Sequence, residues 1–101
     1  MPFGAFIEIL PPWFFLLVHL VAFLVGAYFA SRAFGSGVAV LGWGFTLYAI
    51  AELVYMTYHL NWTVFLFSHT IAEVLDLVAF ILVFAAATQR ALVGARAGAP
   101  A

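Results

Sequence analysis

Residues 13–34 read WFFLLVHLVAFLVGAYFASRAF. His19 is the only Asp, Glu, His, Lys or Arg in this run before Arg32. As a helix rising ~1.5 Å per residue, the run is about 33 Å long and so crosses a ~30 Å hydrocarbon core. Pro11-Pro12 precedes it, which suits a helix start because first-turn N–H groups need no intrahelical acceptor. Gly35-Ser36-Gly37 closes it with turn chemistry.

Outward from this run the pattern repeats. Residues 38–60 and 63–88 are two further apolar stretches, joined by Asn61-Trp62-Thr63, with Asn61 read as a C-cap and Thr63 as an N-cap. Both connections are short, so neighbouring helices are expected to run antiparallel. The predicted fold class is an all-α integral membrane protein, a three-transmembrane-helix up-down-up bundle over residues 1–101. Residues 89–101 are expected to form a short flexible tail. No second domain or internal repeat is visible.

The whole-chain composition agrees. Of 101 residues, 68% are apolar and only seven are charged (three Lys or Arg, four Asp or Glu). The mean hydropathy is +1.23. That leaves too little polar material to cover a soluble domain. Residues 1–10 lack the basic segment of a cleaved signal peptide. With no cysteine, disulfides, thiolate metal sites and covalent haem attachment are excluded. A net charge of −1 without a basic run gives no electrostatic footprint for nucleic acid.

Arginine sets the expected orientation. Arg32, Arg90 and Arg96 fall at the end of the first span or after the third, on one side of the membrane. The positive-inside rule then predicts a cytoplasmic C-terminus and an external N-terminus, in the inner (cytoplasmic) membrane of a cell. Trp13, Tyr58 and Trp62 fall at the outer boundary, where an aromatic belt is expected.

The second and third spans carry residues that hydrocarbon disfavours. An ionisable group at the centre of a membrane helix costs roughly 2.5–3.5 kcal/mol on insertion scales, so such groups face a partner or a wet cavity. Tyr48, Glu52, Tyr55 and His59 follow i, i+4, i+7, i+11 on one helix face. His69, Glu73 and Asp76 do the same on the next helix, at i, i+4, i+7. His19 stands above a stripe of Ala22, Gly26 and Ala30, small residues of the kind that let membrane helices approach closely. Counting residues from the outer ends places His19 about 10 Å deep, Glu52 about 12 Å, His69 about 9 Å, Glu73 about 15 Å and Asp76 about 20 Å. Three inward stripes would form one layer of His19, Glu52, His69 and Glu73 in the outer leaflet. Tyr55 and His59 would line its mouth, and Asp76 its floor.

Several chemistries fit such a layer. Imidazole and carboxylate suit a transition metal (zinc, copper or iron), with His19, Glu52, His69 and Glu73 as ligands. His69-x-x-x-Glu73 departs from the Glu-x-x-His pairs of dinuclear carboxylate sites. His19 and His69, at similar depth on different helices, suit bis-histidine ligation of haem b, with Tyr55 beside the cofactor. A Glu with a Tyr near the outer surface also suits acceptance of a quinol's protons. Proton or ion passage would use Glu52, Glu73 and Asp76, with His59 and Asp76 as accessory groups. That track ends at Asp76, since Leu77 to Phe84 is dry. The bland alternative is hydrogen bonding that fixes helix register, worth ~0.6–2 kcal/mol per bond. No nucleophile motif, phosphate loop or HExxH occurs, so catalytic residues are unassigned and enzymatic activity is not expected beyond a metal or haem centre. Gly42-Trp43-Gly44 reads as a close-packing element. Three helices with polar faces are expected to sit in the lipid bilayer as a homo-oligomer or as a subunit of a larger redox or transport complex.

Overall fold

A computed structural model describes residues 3–98, with side chains through residue 95. A short 3-10 helix, Ala5–Ile9, precedes three α-helices: α1 Pro12–Gly35, α2 Ala39–His59 and α3 Phe65–Gly98. No strand occurs among the described residues. All three α-helices are long and apolar enough to cross a membrane, as in a multi-pass membrane protein.

The punctuation works much as its residues dictate. Pro12 is the first residue of α1, where its missing N–H costs nothing. At the end of α1, Val38 N–H bonds Ala33 O and Gly37 N–H bonds Phe34 O, with Gly37 at φ +79°. The end of α2 repeats the arrangement: Trp62 N–H bonds Thr57 O and Asn61 N–H bonds Tyr58 O, with Asn61 at φ +63°. Both helices therefore stop in a Schellman motif built on a left-handed residue, glycine in one case and asparagine in the other.

Two boundaries differ from the sequence reading. Thr63 does not open α3, which begins at Phe65. The Thr63 hydroxyl is instead paired with the Thr57 hydroxyl at 2.9 Å, tying the loop to α2. At the other end, α3 continues to Gly98 through most of the segment expected as a tail. Ala, Leu, Gln and Arg are good helix formers, and no proline interrupts them before Pro100. The 34-residue helix is about 51 Å long, well beyond a ~30 Å core.

Packing relies on small residues. Gly26, Ala30 and Ala33 of α1, Gly42, Gly44, Ala49 and Ala51 of α2, and Ser68, Ala72, Ala79 and Ala86 of α3 are buried. Hydrocarbon gives helices no hydrophobic reason to associate, so close backbone approach and dispersion must hold them. The glycines show how close that approach is. A Cβ on Gly26 would stand 2.9 Å from the Tyr48 ring, and one on Gly42 would stand 2.8 Å from the Phe34 ring. On Gly44 it would meet Val83 Cγ2 at 2.7 Å and the Ala79 carbonyl at 3.2 Å.

The helices do not close into a three-way bundle. α2 packs on α1 and on α3, but no Cα of α1 lies within 8 Å of one in α3. The result is a slab of 60 × 31 × 20 Å with α2 in the middle. Contacts pair the start of α1 with the end of α2 (Phe15 with His59) and the end of α1 with the start of α2 (Phe34 with Trp43), so the two run antiparallel. Tyr58 with Phe65, and Gly44 with Val83, give the same result for α2 and α3.

Candidate functional site

Because α2 has a neighbour on each side, its polar stripe divides between them. Glu52, only 7% exposed, turns to α1, where His19 Nδ1 lies 2.6 Å from its Oε2. Tyr55, three residues on, turns to α3 and donates its hydroxyl proton to Glu73 Oε1 at 2.6 Å. Both bonds have the short separations of charge-assisted pairs. Each of the two upper carboxyl groups thus has one partner, and each bond crosses a helix boundary.

The rings form a column that joins these bonds. Phe15 stacks on His59 (centroids 5.1 Å, planes 6° apart), His59 on His19 (5.3 Å, 27°) and His19 on Tyr55 (5.0 Å, 17°). The rungs alternate between α1 and α2. Tyr55 also approaches His69 at 6.4 Å with tilted planes, and His69 stacks on Phe65 at 5.0 Å. All three histidines therefore belong to one aromatic array. Imidazole faces rest on neighbouring rings, and the edge of His19 carries the Nδ1 that is bonded to Glu52.

The array opens at one end and closes at the other. Above it, Ile7, Glu8, Phe15, Tyr58, His59 and Phe65 help line an open cavity of about 640 Å³. The Ala5–Ile9 helix brings Glu8 to this vestibule. Below Glu52 and Glu73 stands half-buried Asp76, whose Oδ1 is out of solvent and without a hydrogen-bond partner. Beyond it lies an apolar groove of about 330 Å³ walled by Phe29, Phe45, Phe80 and Phe84 over Gly26 and Tyr48. No family model, curated protein or solved structure matches the chain.

Of the four residues expected in one layer, His19 bonds Glu52 across α1 and α2, Glu73 bonds Tyr55 across α2 and α3, and His69 lies between the rings of Tyr55 and Phe65. His59 lines the vestibule, and Asp76 lies about one turn beyond Glu73 on α3. Among the described residues, no three His, Asp or Glu side chains converge into a metal-ligand set. The ring of Tyr55 is the neighbour of both His19 and His69, the two residues expected to ligate haem. Glu73, although bonded to Tyr55, lies on an exposed face of α3. Sequence reasoning missed Phe15 and Phe65. A signal was there: each stands four residues before a histidine, on the same helix face.

Proposed function

We propose that this protein is a small multi-pass membrane subunit whose two carboxyl pairs and ring column form a proton-exchanging site loaded from one side. Its N-terminus is external, its helices run up-down-up, and it serves a redox or transport complex. The carrying observation is a hydrogen-bonded acid/base set that opens to a vestibule yet stops at Asp76 above an apolar groove. Such a shape takes up and returns protons on the same side. Carrying them across would need a continuous track, and α3 below Asp76 offers only apolar side chains from Leu77 to Ala87.

In this reading a proton arriving from the vestibule is received by His59 and the stacked His19, whose Nδ1 shares a proton with Glu52. Tyr55 holds Glu73 as a second acceptor. Asp76, with one oxygen unbonded, is the deepest acceptor within reach.

Infrared difference spectra of the purified protein in liposomes, recorded across a proton jump, test the proposal. Protonated-carboxyl bands are expected to appear in the wild type, to diminish in Glu52→Gln and in Glu73→Gln, and to fall further in the double variant, where Asp76 accounts for what remains. Unchanged bands in the double variant would remove these residues from the site. A transition ion is the second reading, favoured by the facing His19 and Glu52 donors. One metal per chain that is lost in His19→Ala/His69→Ala, or a Soret band, would replace the proton reading with a metal or haem site.

The orientation has its own test. A single cysteine at Ser36, introduced into this cysteine-free chain, is expected to be shielded from a membrane-impermeant thiol reagent added outside intact cells. Labelling from outside would invert the assignment and place the vestibule on the cytoplasmic face.

A further inference from the structure

The vestibule carries a charge that the acid/base set beneath it does not use. Glu8 is exposed on the Ala5–Ile9 helix and lines the cavity of about 640 Å³. Among the described residues the one ion pair is His19–Glu52, so Glu8 borders the cavity without a counter-charge. No lysine or arginine occurs before Arg32, or between it and Arg90. Arg32 is about 25 Å along α1 from Phe15, and Arg90 is about 37 Å along α3 from Phe65. With His59 neutral, the lining has one formal charge, and it is negative.

The rings of the lining select what that charge attracts. Phe15, Tyr58 and Phe65 border the same cavity. Phe15 and Phe65 each give one face to a histidine, His59 and His69 respectively. Tyr58 stands at 69° to His59 and 71° to Phe65, so the bordering rings lie in crossed planes instead of one stack. Ring faces carry a negative quadrupole, and crossed rings beside a carboxylate attract a cation from several sides. Other occupants fit less well. An anion would meet Glu8 with no basic side chain to hold it. A bare metal ion lacks ligands, because no three His, Asp or Glu side chains converge among the described residues. A neutral molecule would leave the carboxylate unused. An ammonium group on an organic body answers the charge and the rings together, and the oxygens of Tyr58 and Asn61 can accept from any N–H it carries.

We infer that the vestibule binds an organic ammonium cation, held by the Glu8 carboxylate and by the rings of Phe15, Tyr58 and Phe65. Soluble amines and choline lipid headgroups carry the same chemistry, and the test separates them. This binding is independent of the proton-loading reading, because affinity for a cation is measured without proton uptake.

Equilibrium dialysis of radiolabelled choline against the full chain, in dodecyl maltoside micelles that carry no ammonium group, tests it. Choline is expected to bind about tenfold more tightly than its uncharged isostere 3,3-dimethyl-1-butanol, measured by competition. Glu8→Gln is expected to weaken choline binding about fivefold and Glu8→Lys to abolish it. Tyr58→Leu of unchanged helicity is expected to weaken it about fivefold, whereas Tyr58→Phe keeps the ring and retains binding. Glu8 lies outside the three spans, so its variants leave the helix contacts in place. Displacement of choline by short-chain phosphatidylcholine, but not by phosphatidylglycerol, would support the assignment with a lipid headgroup as the source. Displacement by neither would support it with a soluble amine. Absence of choline binding, equal affinity for the isostere, or undiminished binding in Glu8→Lys would overturn it. Zinc held in place of choline and lost in His59→Ala would give the mouth to a metal instead.

Discussion

A His19→Leu variant is expected to lose about 3 kcal/mol of stability, read as an earlier midpoint when the protein is unfolded from mixed micelles with SDS. Most of the cost comes from what is left behind. Glu52 is 7% exposed and its Oε2 has His19 as its partner, so removing the imidazole strands a carboxyl group between α1 and α2. The stacked contacts with Tyr55 and His59 disappear with the ring. The double variant His19→Leu/Glu52→Leu removes the stranded group as well and is expected to recover most of the loss, since an apolar pair can replace a buried polar one at little cost. A single variant within about 0.5 kcal/mol of wild type, the range of ordinary surface substitutions, would mean that the pair holds nothing together.

Gly44→Leu is expected to be similarly severe, at about 3 kcal/mol, by a different route. The Ala79 carbonyl 3.2 Å from a Cβ at Gly44 is helix backbone, which cannot rotate aside as a side chain can. The new side chain must therefore push α3 away from α2. That displacement also opens the Tyr55–Glu73 bond farther along the same interface. Gly35→Leu is the matched control, because nothing lies within 4 Å of a Cβ there. SDS unfolding should separate the two variants clearly. Equal midpoints would show that the α2–α3 contact tolerates widening.

These results bear on how much the sequence discloses. The spans were legible because a helix in hydrocarbon must be apolar along its length, and Pro12, Gly37 and Asn61 fix the ends through backbone conformations that few other residues favour. The small-residue contacts at Gly26, Gly42 and Gly44 were legible for the same kind of reason. Order along each helix was readable too, so His59 ends α2 and Asp76 follows Glu73 by about one turn of α3. The division of the polar layer was not. Periodicity gives the angle at which Glu52 or Tyr55 leaves α2, but α2 has two neighbours and the angle does not say which one receives it. The same ambiguity hid the slab, since three inward stripes are equally consistent with a closed bundle. Thr63 shows a local version: its hydroxyl suits a cap, yet Thr57 captures it across the loop.

The alternation of rings between α1 and α2 has a mechanical consequence. Phe15 and His19 mesh with His59 and Tyr55 like the teeth of two racks. Shifting α1 by half a turn, ~2.7 Å, would set ring against ring and carry His19 away from Glu52. Small axial displacements of one helix past the other are thereby opposed by three stacked contacts at once.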